Sequence, residues 1–448
     1  MRISATKRLF AWEGLEDSPS LGTIRELLGA LPDQGLLASL RAYRGRGRDD
    51  YPVHGLWGVV VLKVALRHLT IEATLGELQR NAALRRLIGI EEESQVPKKW
   101  NVSRFMEVLG TEPHRSRLRE VFDVMVRRLG ATVGDLGQRT AGDATNLSSR
   151  GDRDEGSAGD LPPPSGGRKE YVDETGRVTK VIEWFGYKLH LLVDVRHEVA
   201  LAYRVTSPKR GDNEVLPDLV AEAQANLPKD RIQSLAYDKA ADDGKIHAFL
   251  KERRIAPVIE IRSQWKEEPE RKLPGHDGRS HIVHDEAGTV YCYDVVSDPP
   301  VRRAMSYIGH EGERGTLKYR CPARHTGRPC PSDGRCNAGK AYGKTARVKQ
   351  EIDLRRFPPI PRATKQFERL YKGRTAVERV NGRLKIFWGT DDGNITGPRR
   401  FHALVGTVMA VHAAFATLLA LAPRREGTLG HLRLSAVARA LQEKIRPG

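Results

Sequence analysis

The sequence predicts an α/β fold: a mixed β-sheet with helices on its faces, interrupted by a β-rich insertion and preceded by an all-α segment. Three observations predict it. Apolar residues recur at helical spacing through about the first 130 positions, short strands separated by polar loops follow, and farther on helices and strands alternate. A chain of 448 residues is about three times a typical domain, ample for a sizeable core.

The helical periodicity runs through IRELLGALPDQGLLASLRAYR, YPVHGLWGVVVLKVALRHL and LGELQRNAALRRLIGI. Ser103 can cap a helix through RFMEVLG, and Gly130 can stop the helix that begins near Pro113. The strands expected next are RTAGDATNL, VIEWFGYKLHLLVDV and VALAYRVTS. In the second, Tyr187, Leu189, Leu191 and Val193 alternate with Lys188, His190 and Asp194, as in a strand with one polar-edged face. EVLPDLVAEAQANL then reads as a helix, RIQSLAYDKA as a strand ending in a turn, DDGKIHAFLKERR as a helix and IAPVIEI as a strand. HIVHDEAGTVYCYDVV and GTLKYRCPA are strand-like pieces of the insertion. Positions 148–179, rich in glycine, proline, serine and charge, are expected to be a mobile loop that carries no core. The expected domains are a helical segment over 1–132, the first part of the sheet over 133–262, the insertion over 263–360, and over 361–448 the second part of the sheet region with C-terminal helices.

Lysine and arginine number 75 against 57 acidic residues, a formal charge of +18 that favours a polyanionic partner. The N-terminus lacks the apolar core and small-residue cleavage site of a secretory signal, and four cysteines are too few for a disulfide framework; both fit a reducing cytoplasm. Ala403 to Ala422 is uncharged and long enough to cross a bilayer. Its many alanines and central His412 fit a helix buried in a soluble fold better, so no membrane partner is expected.

Asp143 sits where the first strand should end and Asp238 where the fourth should end. Glu378 lies in YKGRTAVERVNGRLK. If that string is one helix, Tyr371, Arg374, Glu378 and Lys385 leave it at roughly 0, 300, 340 and 320 degrees, while Ala376, Val377, Val380, Leu384 and Phe387 occupy the opposite side. A carboxylate framed by cations suggests metal and phosphate. Three carboxylates can hold two hard cations about 3.5 to 4 Å apart, which clamp the attacking and leaving oxygens of a phosphoryl transfer, and magnesium prefers such oxygen ligands. Arg374 can grip a phosphate with two parallel hydrogen bonds, Lys385 adds a compact charge, and Tyr371 can hydrogen-bond a phosphate or stack on a base. Gly382, one turn beyond Glu378, costs the helix about 1 kcal/mol, for which close approach of DNA or helix packing would account equally. Asp242 and Asp243 are weaker alternatives to Asp238 because they suit the start of the next helix. Asp194 and Asp212 also lie near strand ends, as candidates for a supporting role.

The spacing Tyr-x2-Arg-x3-Glu-x6-Lys resembles the signature of insertion-sequence transposases in the DDE, RNase H-like superfamily. The resemblance implies an RNase H-like core in which Asp143, Asp238 and Glu378 are the catalytic and magnesium-binding residues, with manganese able to substitute, and Tyr371, Arg374 and Lys385 contact DNA phosphates. It implies a cytoplasmic, nucleoid-associated enzyme that binds the terminal inverted repeats of its own element, cuts there and joins the 3′ ends to target DNA, as a homodimer in the synaptic complex. The helical N-terminal segment would read the element's ends or serve as a dimerisation bundle. Two rivals are a catalytically inactive, transposase-derived DNA-binding protein or repressor, and a tyrosine recombinase with Tyr371 as nucleophile. Three intact carboxylates argue against the first, and no activating His and Arg cluster at a recognisable spacing supports the second. Cys321, His325, Cys330 and Cys336 fall in one proline- and glycine-rich loop, where a structural zinc could staple the insertion; unligated thiols are the alternative.

Overall fold

The computed structural model describes residues 19–46, 49–150, 159, 161–173, 177–266, 268–276, 281–392, 394–422 and 429–430. The first segment is helical: α1 (Pro19–Ala30), α2 (Gln34–Arg44), α3 (Val53–Ala65), α4 (Ile71–Arg80), α5 (Ala82–Arg86), α6 (Lys99–Leu109) and α7 (His114–Thr132). Thr70 caps α4 by accepting the Ala73 N–H at 3.1 Å, and Asn81 caps α5 by accepting that of Leu84 at 3.0 Å. Two expected boundaries move. Helix α6 starts at Lys99, where Asn101 Oδ1 accepts the Lys98 N–H at 3.1 Å; Ser103 lies inside it and accepts a hydrogen bond from Arg400 instead. Gly130 does not stop α7, which runs on to Thr132; a Cβ there would stand 3.0 Å from Leu227, so the glycine serves packing.

The main sheet contains β1 (Arg139–Ser148), β2 (Ser165–Val172), β3 (Val178–Asp194), β4 (Ala200–Thr206), β5 (Ser234–Tyr237) and β6 (Ala256–Ile259). Strands β3 and β1 pair antiparallel, β4 adds to β3, and β5 and β6 follow in parallel beyond β1. Three antiparallel strands continued by two parallel ones form an RNase H-like core. Helix α8 (Asp212–Asn226) connects β4 to β5 and covers β3 and β4, while α9 (Gly244–Glu252) connects β5 to β6. Because α8 covers it, the polar-edged face of β3 is buried too: His190 is enclosed and bonds Thr206 at 2.9 Å.

The stretch expected to be a loop over 148–179 is corrected in part. Ser165–Val172 forms β2, paired along the first half of β3. β3 is 17 residues long, and its segment before Gly186 pairs with β2 alone, so the two strands project from the sheet as an arm. A Cβ on Gly167 would fall 2.3 Å from the Trp184 ring, so only glycine admits that indole against the neighbouring strand.

Between β6 and the signature region lies the insertion, with strands β7 (Glu270–Lys272), β8 (Ile282–Asp285), β9 (Val290–Tyr293) and β10 (Arg302–Ala304) in one sheet, and β11 (Ser306–Glu311), β12 (Thr316–Arg320) and β13 (Thr345–Lys349) in another. Short helices α10 (Pro322–Thr326) and α11 (Asp333–Cys336) separate β12 from β13. The insertion has its own small core, around Ile282, Val290, Met305, Leu317, Tyr319 and Phe357. Its two ends converge on buried Asp242, which accepts from the Arg262 N–H at 2.8 Å and from Arg355 at 2.6 Å and stands 3.6 Å from Arg362. Burial opposes the Asp242 charge, but His247, Arg355 and the Arg262 N–H outweigh it and hold the carboxyl well below its usual range.

The chain then forms α12 (Lys365–Tyr371), a 3-10 turn over Lys372–Arg374, α13 (Thr375–Trp388) and α14 (Pro398–Leu421). Although apolar and long enough to cross a membrane, α14 is buried: it packs on α7, α6, α3, α1 and β4. The N-terminal helices therefore have no separate core and share one with the sheet through α14, which is why that helix shows no polar face. His412 at its centre accepts the Ala200 N–H at 3.0 Å, and burial lowers its pKa to about 3, so it stays neutral.

Candidate active site

Asp143 lies within β1, opposite Leu191 of β3, and Asp238 follows β5 directly. Because β1 and β5 are parallel neighbours, both carboxylates emerge at one edge of the sheet. Helix α13 packs on β1 and β3 through buried Ala376, Val377, Val380 and Leu384, and its opposite face brings Glu378 to that edge. All three carboxylates line one cavity of about 570 Å³. A larger cavity, about 830 Å³, lies between α7, β4 and α8; it contains none of the three and is lined by Arg119, Asp123, Arg204 and Glu222, which pair with one another.

The signature residues divide. The Arg374 guanidinium lies 2.9 Å from Glu378 and 3.7 Å from Asp143, so it already bridges two of the acids. Lys385 lines the cavity, donates to Asn146 of β1 at 3.1 Å and stands 3.3 Å from Asp391. Tyr371 does not line the cavity: the 3-10 turn breaks the expected single helix, and its ring stacks on Phe367 at 5.7 Å. Burial and the Glu260 carboxylate, to which it hydrogen-bonds, push its hydroxyl up to about 12. That neutral phenol is poorly placed to be a nucleophile.

Burial pushes the Asp143 carboxyl up to about 6; the Ala144 N–H and Arg374 work against that shift, and neighbouring Asp238 adds to it. Asp238 Oδ1 accepts the Ala240 N–H at 2.9 Å, which fixes the carboxylate at the strand end. The other acids are committed elsewhere. Asp243 caps α9 through the Lys245 N–H at 2.7 Å, and Asp194 accepts the Gly137 N–H at 2.7 Å. Asp212 does line the cavity, at 2.5 Å from Lys188.

Among the described residues, no three His, Cys, Asp or Glu side chains are arranged closely enough to hold a metal ion in this structure. The donor set nonetheless suits a hard cation: three carboxylates on one wall, one of them reluctant to ionise without a neighbouring positive charge. Asn381, on α13 beside Glu378, lines the same cavity with its buried Oδ1 unpartnered, a further oxygen free for a ligand.

Sequence reasoning missed one wall. Arg168, Lys169 and Tyr171 of β2 and Trp184 and Lys188 of β3 line the same cavity as the carboxylates. Lys169 and Lys180 flank the Tyr171 ring at 5.4 and 6.0 Å. The only signal was the basic pair Arg168–Lys169 beside an aromatic in GGRKEY, hidden by the glycine- and proline-rich residues around it.

The solved piggyBac transposase synaptic complex with hairpin DNA is similar over 96% of this chain and 82% of that one, at 10% identity and a TM-score of 0.35. A pre-cleavage Mos1 transpososome is similar over 48% of this chain and 60% of that one, at 12% identity and a TM-score of 0.17. No curated protein matches. The sequence profile described as "Transposase DDE domain" matches residues 140–413, from the first core strand into α14 and across all three carboxylates. With more than half of its length matched, the chain belongs to the DDE transposase family.

Proposed function

We propose that this protein binds the terminal inverted repeats of its own mobile element, cuts DNA there and joins the freed 3′ ends to target DNA, with Asp143, Asp238 and Glu378 as catalytic residues. The observation that carries the reading is the meeting of these acids, from three separate elements, in one cavity walled by Arg168, Lys169, Lys188 and Lys385. Basic residues on both sides of a carboxylate cluster suit a phosphodiester, whose oxygens need cations while the acids hold theirs. Magnesium ions held by the three carboxylates would supply a nucleophilic oxygen near neutral pH and a counter-charge for the departing 3′ oxygen. Arg374 keeps Glu378 and Asp143 in place and can transfer its guanidinium to a phosphate when substrate enters. Lys385, steadied by Asn146 and Asp391, places a point charge beside the acids. Trp184 and Tyr171 offer faces for unstacked bases. Two ends must be held together for strand transfer, which a homodimer would do.

The test is to incubate the protein with magnesium and a labelled end fragment and to map the cut on each strand. Metal-dependent nicks at the element's boundary are expected; an uncut fragment that is nonetheless bound would favour an inactive DNA-binding protein.

Acid should inhibit. The Asp143 pKa of about 6 means that protons compete with cations below that pH, so cleavage should fall about tenfold per pH unit on the acid side and level off above it. Raising magnesium should move this limb to lower pH, because the cation binds only the ionised form. A limb that ignores magnesium would assign the titration to another group.

Gly382 lines the cavity, and a Cβ built on it would meet nothing within 4 Å, so protein packing does not require the glycine. Gly382→Ala should stabilise α13 by about 1 kcal/mol yet weaken cleavage, because the added methyl stands where DNA would approach. Melting and cleavage measured side by side check both halves; undiminished cleavage would refute the close approach.

A further inference from the structure

We propose that the insertion contains a structural zinc site formed by all four cysteines of the chain, Cys292, Cys321, Cys330 and Cys336, with Cys292 in the position that loop spacing gave to His325. The inference is independent of the chemistry proposed for the main cavity.

All four cysteines are free and partly buried, and all lie in the insertion, although they come from three places in the sequence. Buried hydrogen bonds link those places. Cys292 is on β9, and two residues on, toward the same side of the chain, Asp294 accepts from Ser332 Oγ. Ser332 Oγ also accepts the Val295 N–H at 3.0 Å, so the loop between Cys330 and Cys336 is tied to the end of β9. Within that loop the Asp333 N–H donates to the Cys330 carbonyl at 3.0 Å and the Cys336 N–H to the Ser332 carbonyl at 2.8 Å. Asn337, next to Cys336, donates to Cys321 Sγ at 3.4 Å, and the Cys321 N–H donates to the Lys344 carbonyl at 2.8 Å. Asp294, Ser332 and Asn337 are each no more than 2% exposed, an unusual density of enclosed polar side chains around four thiols.

The electrostatics agree with the geometry. Arg303, opposite Cys292 in the β9–β10 register and 3.8 Å from Asp294, adds a positive charge that would offset four thiolates around one divalent ion. His325, by contrast, is exposed on α10; its backbone N–H donates to the Cys321 carbonyl at 3.0 Å, while its ring is in the solvent-facing part of the loop.

The thiols are gathered rather than closed, since no three potential ligands among the described residues stand at metal-binding spacing. Rotation about χ1 swings each Sγ without moving the hydrogen-bonded backbone. Four soft thiolates that can close to a tetrahedron select zinc. The need is physical: the insertion's core is small, and the Pro- and Gly-rich chain between β12 and β13 holds only two short helices, so a metal staple would join both sheets.

The experiment measures zinc in the full-length protein after gel filtration, then in Cys292→Ser and His325→Ala. About one zinc per chain is expected in the wild type and in His325→Ala, with a loss of about tenfold or more in Cys292→Ser. Cobalt replacement keeps the question answerable even if Cys292→Ser misfolds: wild type and His325→Ala should give the same tetrahedral, all-thiolate spectrum. Metal-free wild type, a disulfide between any two of the four, a cobalt spectrum changed by His325→Ala, or zinc retained in Cys292→Ser would overturn the proposal.

Discussion

Asp238→Ala is expected to keep binding the element's ends and to lose cleavage by about a thousandfold or more, the cost of removing several kcal/mol of charge stabilisation from the transition state. The folded chain should survive. Asp238 stands at the end of β5, whose Ser234–Tyr237 backbone is fully buried between β1 and β6, and the lost hydrogen bond to Ala240 is one short-turn cap worth about 1 kcal/mol. Asp238→Asn separates charge from structure more cleanly, since its amide oxygen can still accept that N–H. Both variants should fail equally in cleavage while melting near the wild type. Cleavage at the wild-type rate in either would remove Asp238 from the catalytic set and reopen the case for a different acid, with Asp212 the one already facing the cavity.

The second large effect is expected from salt. A surface that neutralises about eight phosphates should show a log-log slope of affinity against salt near −7, so a fourfold rise in salt should weaken binding by about 10⁴. The basic side chains are distributed for this: Arg168 and Lys169 on the arm, Lys188 on the sheet and Lys385 on α13 ring the carboxylates. Replacing Arg168 and Lys169 together should reduce the slope by about 2 if both reach phosphates. Anisotropy titrations over a salt series would read the slopes. A flat response would eliminate an extended DNA surface; a steep slope unchanged in the double variant would place that surface away from the arm.

That three acids line one cavity was partly legible because the parts are local. A strand-terminal Asp238 and an amphipathic helix with Glu378 on its polar face can each be recognised from a few neighbours, whereas Asp143, expected at the end of the first strand, stands in the middle of β1, which runs on to Ser148 to pair with β3. Tyr371 was misplaced because periodicity assumed one continuous helix; the 3-10 turn at Lys372–Arg374 changes the angle between the tyrosine and the residues after it. Asp242 illustrates the same limit in another way. Its position suggested a helix start, and besides nearby His247 and the Arg262 N–H it pairs with Arg355 and Arg362, more than a hundred residues away, which no local pattern announces.

The sequence alone therefore determined most of the elements and their order, Asp238 at its strand end and the helix that carries Glu378, all consequences of short-range sterics and of which faces are apolar. Tertiary structure decided what faces those acids. It built the arm of β2 and β3 from a stretch whose composition looked disordered, because pairing with a long neighbouring strand satisfies backbone groups that glycine and lysine could not satisfy alone. It likewise brought Cys292 toward three distant cysteines, since contacts between separate strands depend on how sheets pack and not on spacing along the chain.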